Sequence, residues 1–334
     1  MATLIDTSSH PDARSHEPEQ DETPRAGRAG LILGRVVTGL LVIGPAVALA
    51  VAVPLLWGRA ITLRDLILAG VFYTVTTLGV TVGYHRLFTH QAFTTSTAVS
   101  SLLIIMGSMA GRGPMISWAA MHRRHHELSD HEGDLHSPNL HGRGLVGRLR
   151  GFLHAHLTWM IEHDYPNVAH YVPDLMAART LVKVNSLYYI WVLLGLLVPA
   201  AIGGLVGGSL WGAITGFLWG GVVRMFVVEQ TMSALNSVLH TFGRRPFVTR
   251  DDHSGNLAIM AWFGWGEGWH NNHHAFPYSA AFGLRWFEFD PGFLFIRMLE
   301  VLGLAWDVKV PSPEKIARRA LRPATGTAAD PGPV

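Results

Sequence analysis

The sequence predicts an all-α integral membrane protein. Four transmembrane helices in two hairpins would support a cytosolic helical cap that carries a histidine-rich di-metal site. Three observations favour this fold class. Of the 334 residues, 49% are hydrophobic and only 15% are charged, against about a quarter charged in soluble domains. Four apolar stretches are long enough to cross a bilayer, and many of the 19 histidines are clustered beside them.

The four apolar stretches have the length of membrane-spanning helices, since a hydrocarbon core takes about 20 helical residues. Helices are expected because an open strand would leave backbone groups without hydrogen bonds in lipid. The connections within each pair are short, which predicts two hairpins. The predicted spans cover residues 36–57, 61–83, 184–207 and 210–228.

A fifth apolar run, residues 98–117, is interrupted by the sequence Gly-Arg-Gly-Pro at 111–114. Glycine and proline close together are typical of a break between helices. We expect a helix that lies at the membrane interface. A short or re-entrant span is the alternative.

Polar tails are predicted on both sides of a membrane domain at residues 31–310. Residues 1–30 are polar, acidic and rich in proline, which predicts a disordered cytosolic tail and argues against a signal peptide. Residues 311–334 are expected to form a flexible C-terminal tail, with a short basic helix around Ile316–Leu321.

Lysine and arginine predict the orientation. They are concentrated in the segment between the two hairpins and after the last span, whereas residues 207–209 within the second hairpin contain none. Because cytoplasmic loops carry the excess of such residues, we expect a multi-pass protein of the cell membrane with both termini and the active site in the cytoplasm. A net charge of +2 gives no reason to expect nucleic-acid binding.

The histidines near the predicted cytoplasmic ends of the spans have the spacing of metal ligands. His122, His125 and His126 share one helical face because residues at i, i+3 and i+4 lie within one turn. His270, His273 and His274 repeat this spacing. His85 and His90 are five residues apart, which fits a helix end better than a helix centre, and His240 follows the last span.

Nine imidazoles exceed the capacity of one metal ion and suit two ions with four or five ligands each. We expect His122 and His126 to face one ion and His125 the other, with His270 and His274 sharing an ion. Imidazole binds iron, zinc, copper and nickel, so the ligands alone leave the metal open. The other histidines of the central segment are expected to hydrogen-bond to ligands or to cap helices.

Four runs of residues resemble the membrane fatty acyl desaturases of the stearoyl-CoA type. They are GYHRLFTH at 83–90, HRRHH at 122–126 followed by DLH at 134–136, NSVLH at 236–240, and GEGWHNNHHAFP at 266–277. Histidine runs alone would also suit alkane hydroxylases and ketolases, but the last two runs are typical of a narrower group of proteins. The resemblance extends from about Tyr73 to Phe287.

This resemblance implies a di-iron enzyme that uses O2 to place a cis double bond, at the ninth carbon, in a long-chain saturated acyl-CoA. Overproduced protein could carry zinc in place of iron. Asn236 would hold a metal-bound water, and an acyl tunnel would pass beneath the metals. Gln91 follows the first run where family members often carry Arg, which weakens conclusions about the cytosolic surface. The implied ligands are His85, His90, His122, His125, His126, His240, His270, His273 and His274.

The electrons are expected to come from a separate ferredoxin or a flavin or iron–sulfur reductase. The chain contains no cysteine for an iron–sulfur cluster and no H-P-G-G motif of a fused cytochrome b5. A turnover needs two electrons in addition to those taken from the substrate.

Tyr73 and Thr77 are candidates for the floor of the acyl tunnel. Tyr73 lies twelve residues before His85, which is about 18 Å along a helix. Both side chains would then limit the length of the bound chain. The alternative is that they only pack against a neighbouring span.

Other functions remain open at this point. The nearest are an acyl-lipid desaturase and a fatty acyl or alkane hydroxylase on the same di-iron scaffold. A metal transporter would need ionisable residues inside the spans, where the sequence offers little beyond Arg224. A bis-histidine haem needs only one pair of axial histidines.

Overall fold

The computed structural model describes residues 28–55, 61–162, 166–250 and 253–320, and helices dominate them. A two-stranded antiparallel sheet pairs β1 (Thr94–Thr95) with β2 (Ala305–Trp306). The helices are α1 (Arg28–Leu55), α2 (Leu63–Thr89), α3 (Thr97–Ser108), α4 (Met115–Leu128), α5 (Gly144–Leu153), α6 (Trp159–Glu162), α7 (Val168–Tyr171), α8 (Pro173–Ala177), α9 (Arg179–Ser186), α10 (Tyr188–Gly207), α11 (Leu210–Ser237), α12 (Ala258–Phe263), α13 (His270–Ala275), α14 (Pro291–Val301) and α15 (Pro313–Arg319). A π-helical segment, His154–Thr158, joins α5 to α6.

Three of the described helices, α2, α10 and α11, are long and apolar enough to cross a membrane. They coincide with the second, third and fourth predicted spans, but their ends differ. α2 and α11 continue past the predicted ends at residues 83 and 228, and α10 begins four residues later than predicted because α9 precedes it as a separate helix. In the part of α1 whose side chains the structure describes, the apolar stretch is Arg35–Val51, and the membrane crossing by this helix stays a prediction.

Glycines allow the membrane helices to approach closely. A Cβ atom added to Gly203 of α10 would lie 2.4 Å from the Gly212 carbonyl oxygen of α11. A Cβ added to Gly79 of α2 would lie 2.1 Å from the Gly107 backbone nitrogen of α3. Small residues at such contacts let backbones pack together, which is a main source of helix association in lipid.

Two polar features stabilise the membrane helices. Arg224 of α11 is buried and donates to the carbonyl oxygens of Met109 at 2.6 Å, Gly195 at 2.6 Å and Gly220 at 3.1 Å. It therefore links α3, α10 and α11. At the start of α2, Thr62 and Asp65 form a capping box, which satisfies backbone N–H groups that a helix end leaves open.

The last eleven residues of α2, Gly79–Thr89, form a π-helix. The Thr89 hydroxyl donates to the Tyr84 carbonyl, and the His90 N–H donates to the His85 carbonyl at 3.2 Å. This wider turn brings residues i and i+5 to one side, so the rings of His85 and His90 lie 5.0 Å apart. The sequence placed this pair at a helix end but did not reveal the π-helix.

The break predicted at residues 111–114 is present, between the end of α3 and the start of α4. Gly111 and Gly113 have positive φ angles of 82° and 90°, which glycine adopts readily.

The short helix that the sequence predicted around Ile316–Leu321 is present as α15 at the start of the predicted C-terminal tail. α15 packs Ile316 against Phe247 and Phe276, because this face of the short helix is apolar. Residues 321–334 and residues 1–27 of the predicted N-terminal tail lie outside the described residues, and residues 28–30 open α1.

The contact between α2 and α3 gives a stability prediction. Gly79→Val forces a side chain into the Gly107 backbone, and we expect a loss of at least about 2 kcal/mol of stability, the scale of overpacking in a filled core. Gly70→Val is the matched control, since nothing lies within 4 Å of a Cβ at that position. Thermal unfolding in detergent, followed by size-exclusion chromatography, measures both. Equal stability of the two variants would contradict the close contact.

Candidate metal centre

Five imidazoles from three helices meet in a first cluster. Their ligand atoms all lie within 4.8 Å of one another. The Nε2 atom of His273 is 3.0 Å from that of His85 and 2.8 Å from that of His126, and the Nε2 atoms of His122 and His126 are 3.0 Å apart. His90 completes the cluster, and its buried Nε2 has no hydrogen-bond partner among the described residues.

Four further imidazoles form a second cluster, made of His125, His240, His270 and His274. The Nε2 atom of His270 is 3.0 Å from that of His240 and 3.2 Å from that of His274. The two clusters are adjacent, since the rings of His126 and His274 stack at 4.6 Å.

Helix geometry divides the histidines between the clusters. In α4, His122 and His126 lie one turn apart and enter the first cluster, while His125 points to the second. The structure thus arranges these three side chains as the sequence predicted, and it also brings His270 and His274 into one cluster. Because i and i+4 align more closely than i and i+3 on a helix of 3.6 residues per turn, one short helix can serve two ions.

Three buried carboxylates hold the imidazoles from behind. Glu267 accepts a hydrogen bond from His85 Nδ1 at 2.7 Å, and the carboxylates of Asp134 and Asp130 accept from the Nδ1 atoms of His125 at 3.0 Å and His240 at 2.9 Å. Such partners fix the ring and leave the Nε2 lone pair free for a metal. Sequence reasoning missed them, although DLH at 134–136 and Glu267 in the GEGW run were the available signals.

The carboxylates are ionised in this arrangement. Burial alone would raise the pKa of the Asp130 carboxyl, but the His240 imidazole and hydrogen bonds from Ser137 and Asn139 outweigh burial and lower the pKa to about 2. The pKa values of Asp134 and Glu267 are also lowered, because the imidazoles that they accept from more than offset the cost of burial.

Five of the histidines, in contrast, are neutral near pH 7. Burial, reinforced by repulsion from neighbouring imidazoles, lowers the pKa values well below the ordinary histidine value of 6.5 for His90, His122, His126, His270 and His273. Neutral imidazole is the form that binds metals.

These nitrogens fit two metal ions. Nitrogen ligands at right angles around an ion, with bonds of about 2.1 Å, are about 3.0 Å apart. The observed Nε2 separations of 2.8–3.2 Å have this value. A cation between these nitrogens would bind the lone pairs that point inward, and it would give the unpartnered Nε2 of His90 a partner as well.

A buried network supports Glu267. The Thr81 hydroxyl donates to Glu267, and the Arg86 guanidinium donates to Thr81 at 2.6 Å and to Asp290 at 3.0 Å. Arg86 also lies 3.8 Å from the centre of the Phe282 ring. The carboxylate behind His85 is therefore held by residues from α2 and from the segment before α14.

Asparagines position α13, which has only six residues. The Asn256 side chain accepts from the Asn271 N–H at 2.8 Å and donates to the Asn272 side chain at 2.6 Å, and Asn272 donates to Glu288 at 2.7 Å. The two asparagines in the HNNHH run thus anchor the helix while the three histidines point to the clusters.

A mostly apolar cavity adjoins the histidines. It is lined by His85, His122 and His270 and by apolar side chains that include Val80 and Met232. Asn236, the predicted water-holding residue, also lines it. The cavity would let an apolar chain approach both clusters.

The predicted tunnel residues lie behind the wall of this cavity. The Tyr73 hydroxyl donates to the Phe263 carbonyl at 2.5 Å and lies 3.2 Å from the Thr231 hydroxyl oxygen. Its ring packs against a cluster that includes Val80, and Thr77 is buried beside it. Neither lines the cavity directly, so their role in limiting the chain stays a prediction.

Comparison with known proteins decides the family. A model of the family "Fatty acid desaturase" matches residues 62–293, more than half of the chain. The chain belongs to the fatty acid desaturase family. This confirms the resemblance that the histidine runs indicated and excludes a metal transporter or a haem cytochrome as the family.

Three relatives of this desaturase cover most of its length. A hex-5-enoyl-[acyl-carrier protein] acetylenase of Moorena producens is 46% identical over 279 residues, which are 83% of this chain and 87% of the relative. Delta-9 acyl-lipid desaturase 1 of Arabidopsis thaliana is 33% identical over 75% of this chain and 77% of its own. The sn-1 stearoyl-lipid 9-desaturase of Synechocystis is 34% identical over 76% of this chain and 74% of its own.

The carboxylates give a prediction about metal affinity. Glu267→Gln keeps the size of the side chain but removes the charge that orients His85, so we expect iron affinity to fall about 10–100-fold. Metal retained during dialysis against graded chelator, measured by mass spectrometry, tests this. Glu300→Gln, which removes an exposed ion pair with Arg297, is the control. Metal retention equal to that of the unaltered protein would contradict the role of Glu267.

Proposed function

We propose that this desaturase inserts a cis double bond at the ninth carbon of a long-chain saturated acyl-CoA. The main support is the pair of histidine clusters at the wall of one apolar cavity. An unactivated methylene has no acidic proton and no leaving group, so acid–base and nucleophilic catalysis are of little use. Such oxidations belong to a metal centre, for which the protein supplies binding and orientation.

The proposed cofactor is two iron ions, held by the nine histidines of the two clusters. When bound, they would supply the oxidising power for C–H cleavage by O2. The reaction consumes one O2, two electrons and two protons. It removes two hydrogen atoms from the acyl chain and yields two waters. The protein's own part is to orient the imidazoles, to hold a water at Asn236, and to exclude bulk water with Val80 and Met232.

The proposed setting is the cell membrane, with α1 as the first of four crossings and with the metal centre and both termini in the cytoplasm. The excess of lysine and arginine in the central and C-terminal segments supports this orientation. The two electrons would come from a separate ferredoxin or reductase.

A lipid-linked acyl chain is the second candidate substrate, because two relatives are named as acyl-lipid or stearoyl-lipid desaturases. Hydroxylation on the same scaffold is a further alternative. The acetylenase relative at 46% identity supports one more candidate reaction, the conversion of a double bond to a triple bond.

A fatty-acid profile tests the proposed activity. The protein is expressed with a ferredoxin and its reductase in a host without its own desaturase, and the lipids are analysed by gas chromatography–mass spectrometry. We expect a new monoenoic acid that disappears in the His125→Ala variant, because this change removes a proposed ligand of the second cluster. The position of the double bond is read after derivatisation.

Other products would assign the protein to other reactions. A hydroxy acid would assign the protein to hydroxylation, and an acetylenic acid would assign it to the reaction of its Moorena relative. No new lipid from a metal-loaded protein that receives electrons would contradict the proposed function. Feeding acyl-CoA or glycerolipid to isolated membranes distinguishes the carriers.

The tunnel hypothesis gives a separate prediction. Tyr73→Ala removes a large ring behind the cavity wall, and we expect the preferred substrate to become at least two carbons longer. Val71→Ala, at an exposed position of the same helix, is the control. Competition assays with mixed chain lengths measure the preference. An unchanged preference together with lower thermal stability would show that Tyr73 only packs.

A further inference from the structure

The loop between α3 and α4 places an arginine inside the protein. Arg112 lies between Gly111 and Gly113, whose positive φ angles of 82° and 90° turn the chain sharply. The Gly113 N–H donates to the Tyr188 hydroxyl at 2.9 Å, and the Ile116 N–H donates to the Asn185 side chain at 3.1 Å. The loop is therefore anchored, and the Arg112 side chain is only 6% exposed.

Arg112 has one strong partner and a donor to spare. Its guanidinium forms an ion pair with Glu229 of α11, and the Glu229 side chain is 5% exposed. The guanidinium also lies 3.4 Å from the Ser233 hydroxyl. Its Nε is buried and has no partner among the described residues. An unsatisfied buried donor is costly, so an acceptor that reached this N–H from an adjoining cavity would be stabilised.

The position of Arg112 shows where that acceptor would come from. Arg112 lines the cavity beside the histidines and also a second cavity that extends to Val42 of α1 and to Tyr188 of α10. The two cavities share Arg112, Trp118, Met121 and Trp159. Arg112 is thus the charged group in the wall that the two cavities share, and the other side chains of this wall are mainly apolar.

We propose that Arg112 donates a hydrogen bond to the carbonyl oxygen of the ester or thioester that joins the acyl chain to its carrier. This proposal rests on the proposed function and names the polar contact of the substrate. The carrier would occupy the second cavity, and the acyl chain would run past His122 towards Val80 and Met232.

The ion pair selects a neutral acceptor. Glu229 already neutralises the guanidinium, so the dipole of a carbonyl group fits beside the pair. The carboxylate of a free fatty acid would bring a second negative charge close to Glu229 in a buried place, which is unfavourable. Arg112 and Glu229 together therefore favour acyl chains attached to a carrier over free fatty acids.

The contact would also set the position of the double bond. With the carbonyl held at Arg112, a fixed number of carbons separates it from the metal centre. The position is then counted from the carboxyl end, whatever the length of the chain.

A binding experiment tests the carbonyl contact without turnover. Metal-loaded protein in detergent is titrated with stearoyl-pantetheine and with S-octadecyl-pantetheine, and in a second arm with 1-stearoylglycerol and 1-O-octadecylglycerol. Each pair differs in the carbonyl group. We expect about tenfold tighter binding of the carbonyl compound in at least one arm, the usual effect of a hydrogen bond from a charged donor. Preference in the first arm assigns a thioester carrier, and preference in the second a lipid ester.

The test variant is Arg112→Met/Glu229→Met, since replacing both members of a buried ion pair by apolar residues strands no charge. We expect the preference to fall to about one while the metal content is unchanged. The double variant Arg297→Met/Glu300→Met is the control, because it removes an ion pair of α14 that lines neither cavity. Equal binding of both probes by the unaltered protein, or a tenfold preference kept by the double variant, would overturn the proposal.

Product analysis gives an independent readout. With saturated chains of 16 and 18 carbons, we expect the unaltered protein to place the double bond at one distance from the carboxyl end and the double variant to spread it over neighbouring positions. A constant distance from the methyl end would overturn the role of Arg112 and leave desaturation intact. A carbonyl preference in a protein that oxidises no acyl chain would contradict the proposed function but not the carbonyl site.

Discussion

The hydrogen bonds from imidazole Nδ1 atoms to three buried carboxylates are the interaction on which the metal centre depends. Two of the bonds join parts of the chain that are distant in sequence, Glu267 to the end of α2 and Asp130 to His240, whereas Asp134 is nine residues from His125 of α4. Each bond also decides which ring nitrogen faces inward. A buried carboxylate is unfavourable unless it is paired. The pairing therefore acts in both directions, because the carboxylate fixes the orientation of the imidazole ring and the imidazole keeps the carboxylate ionised.

The backbone supplies the rest of the convergence. α4 serves both clusters because residues three and four apart diverge slightly around a helix, and the π-helical end of α2 brings His85 and His90 to one side. α13 is too short to be stable by itself, so the Asn256, Asn271 and Asn272 side chains hold it. Precision at the centre is thus built from short elements that are fixed by buried polar contacts.

Two buried arginines differ in their surroundings. The Arg224 guanidinium donates to three backbone carbonyls and links neighbouring helices. Arg112 pairs with Glu229, has a buried Nε without a partner among the described residues, and lies in the wall that two cavities share. The burial of Arg224 is explained by helix packing alone. The burial of Arg112 is explained when the substrate carries a carbonyl group.

The sequence by itself determined the helical membrane class, three of the spans, the break at residues 111–114 and the assignment of α4 histidines to separate clusters. These follow from local rules, since hydropathy and helical periodicity need only neighbouring residues. Only the tertiary structure decided that Glu267, Asp130 and Asp134 back the imidazoles, that α2 ends as a π-helix and that Arg112 lies between two cavities. Such features depend on contacts between residues up to 182 positions apart, and a pattern along the chain does not encode which distant side chains meet.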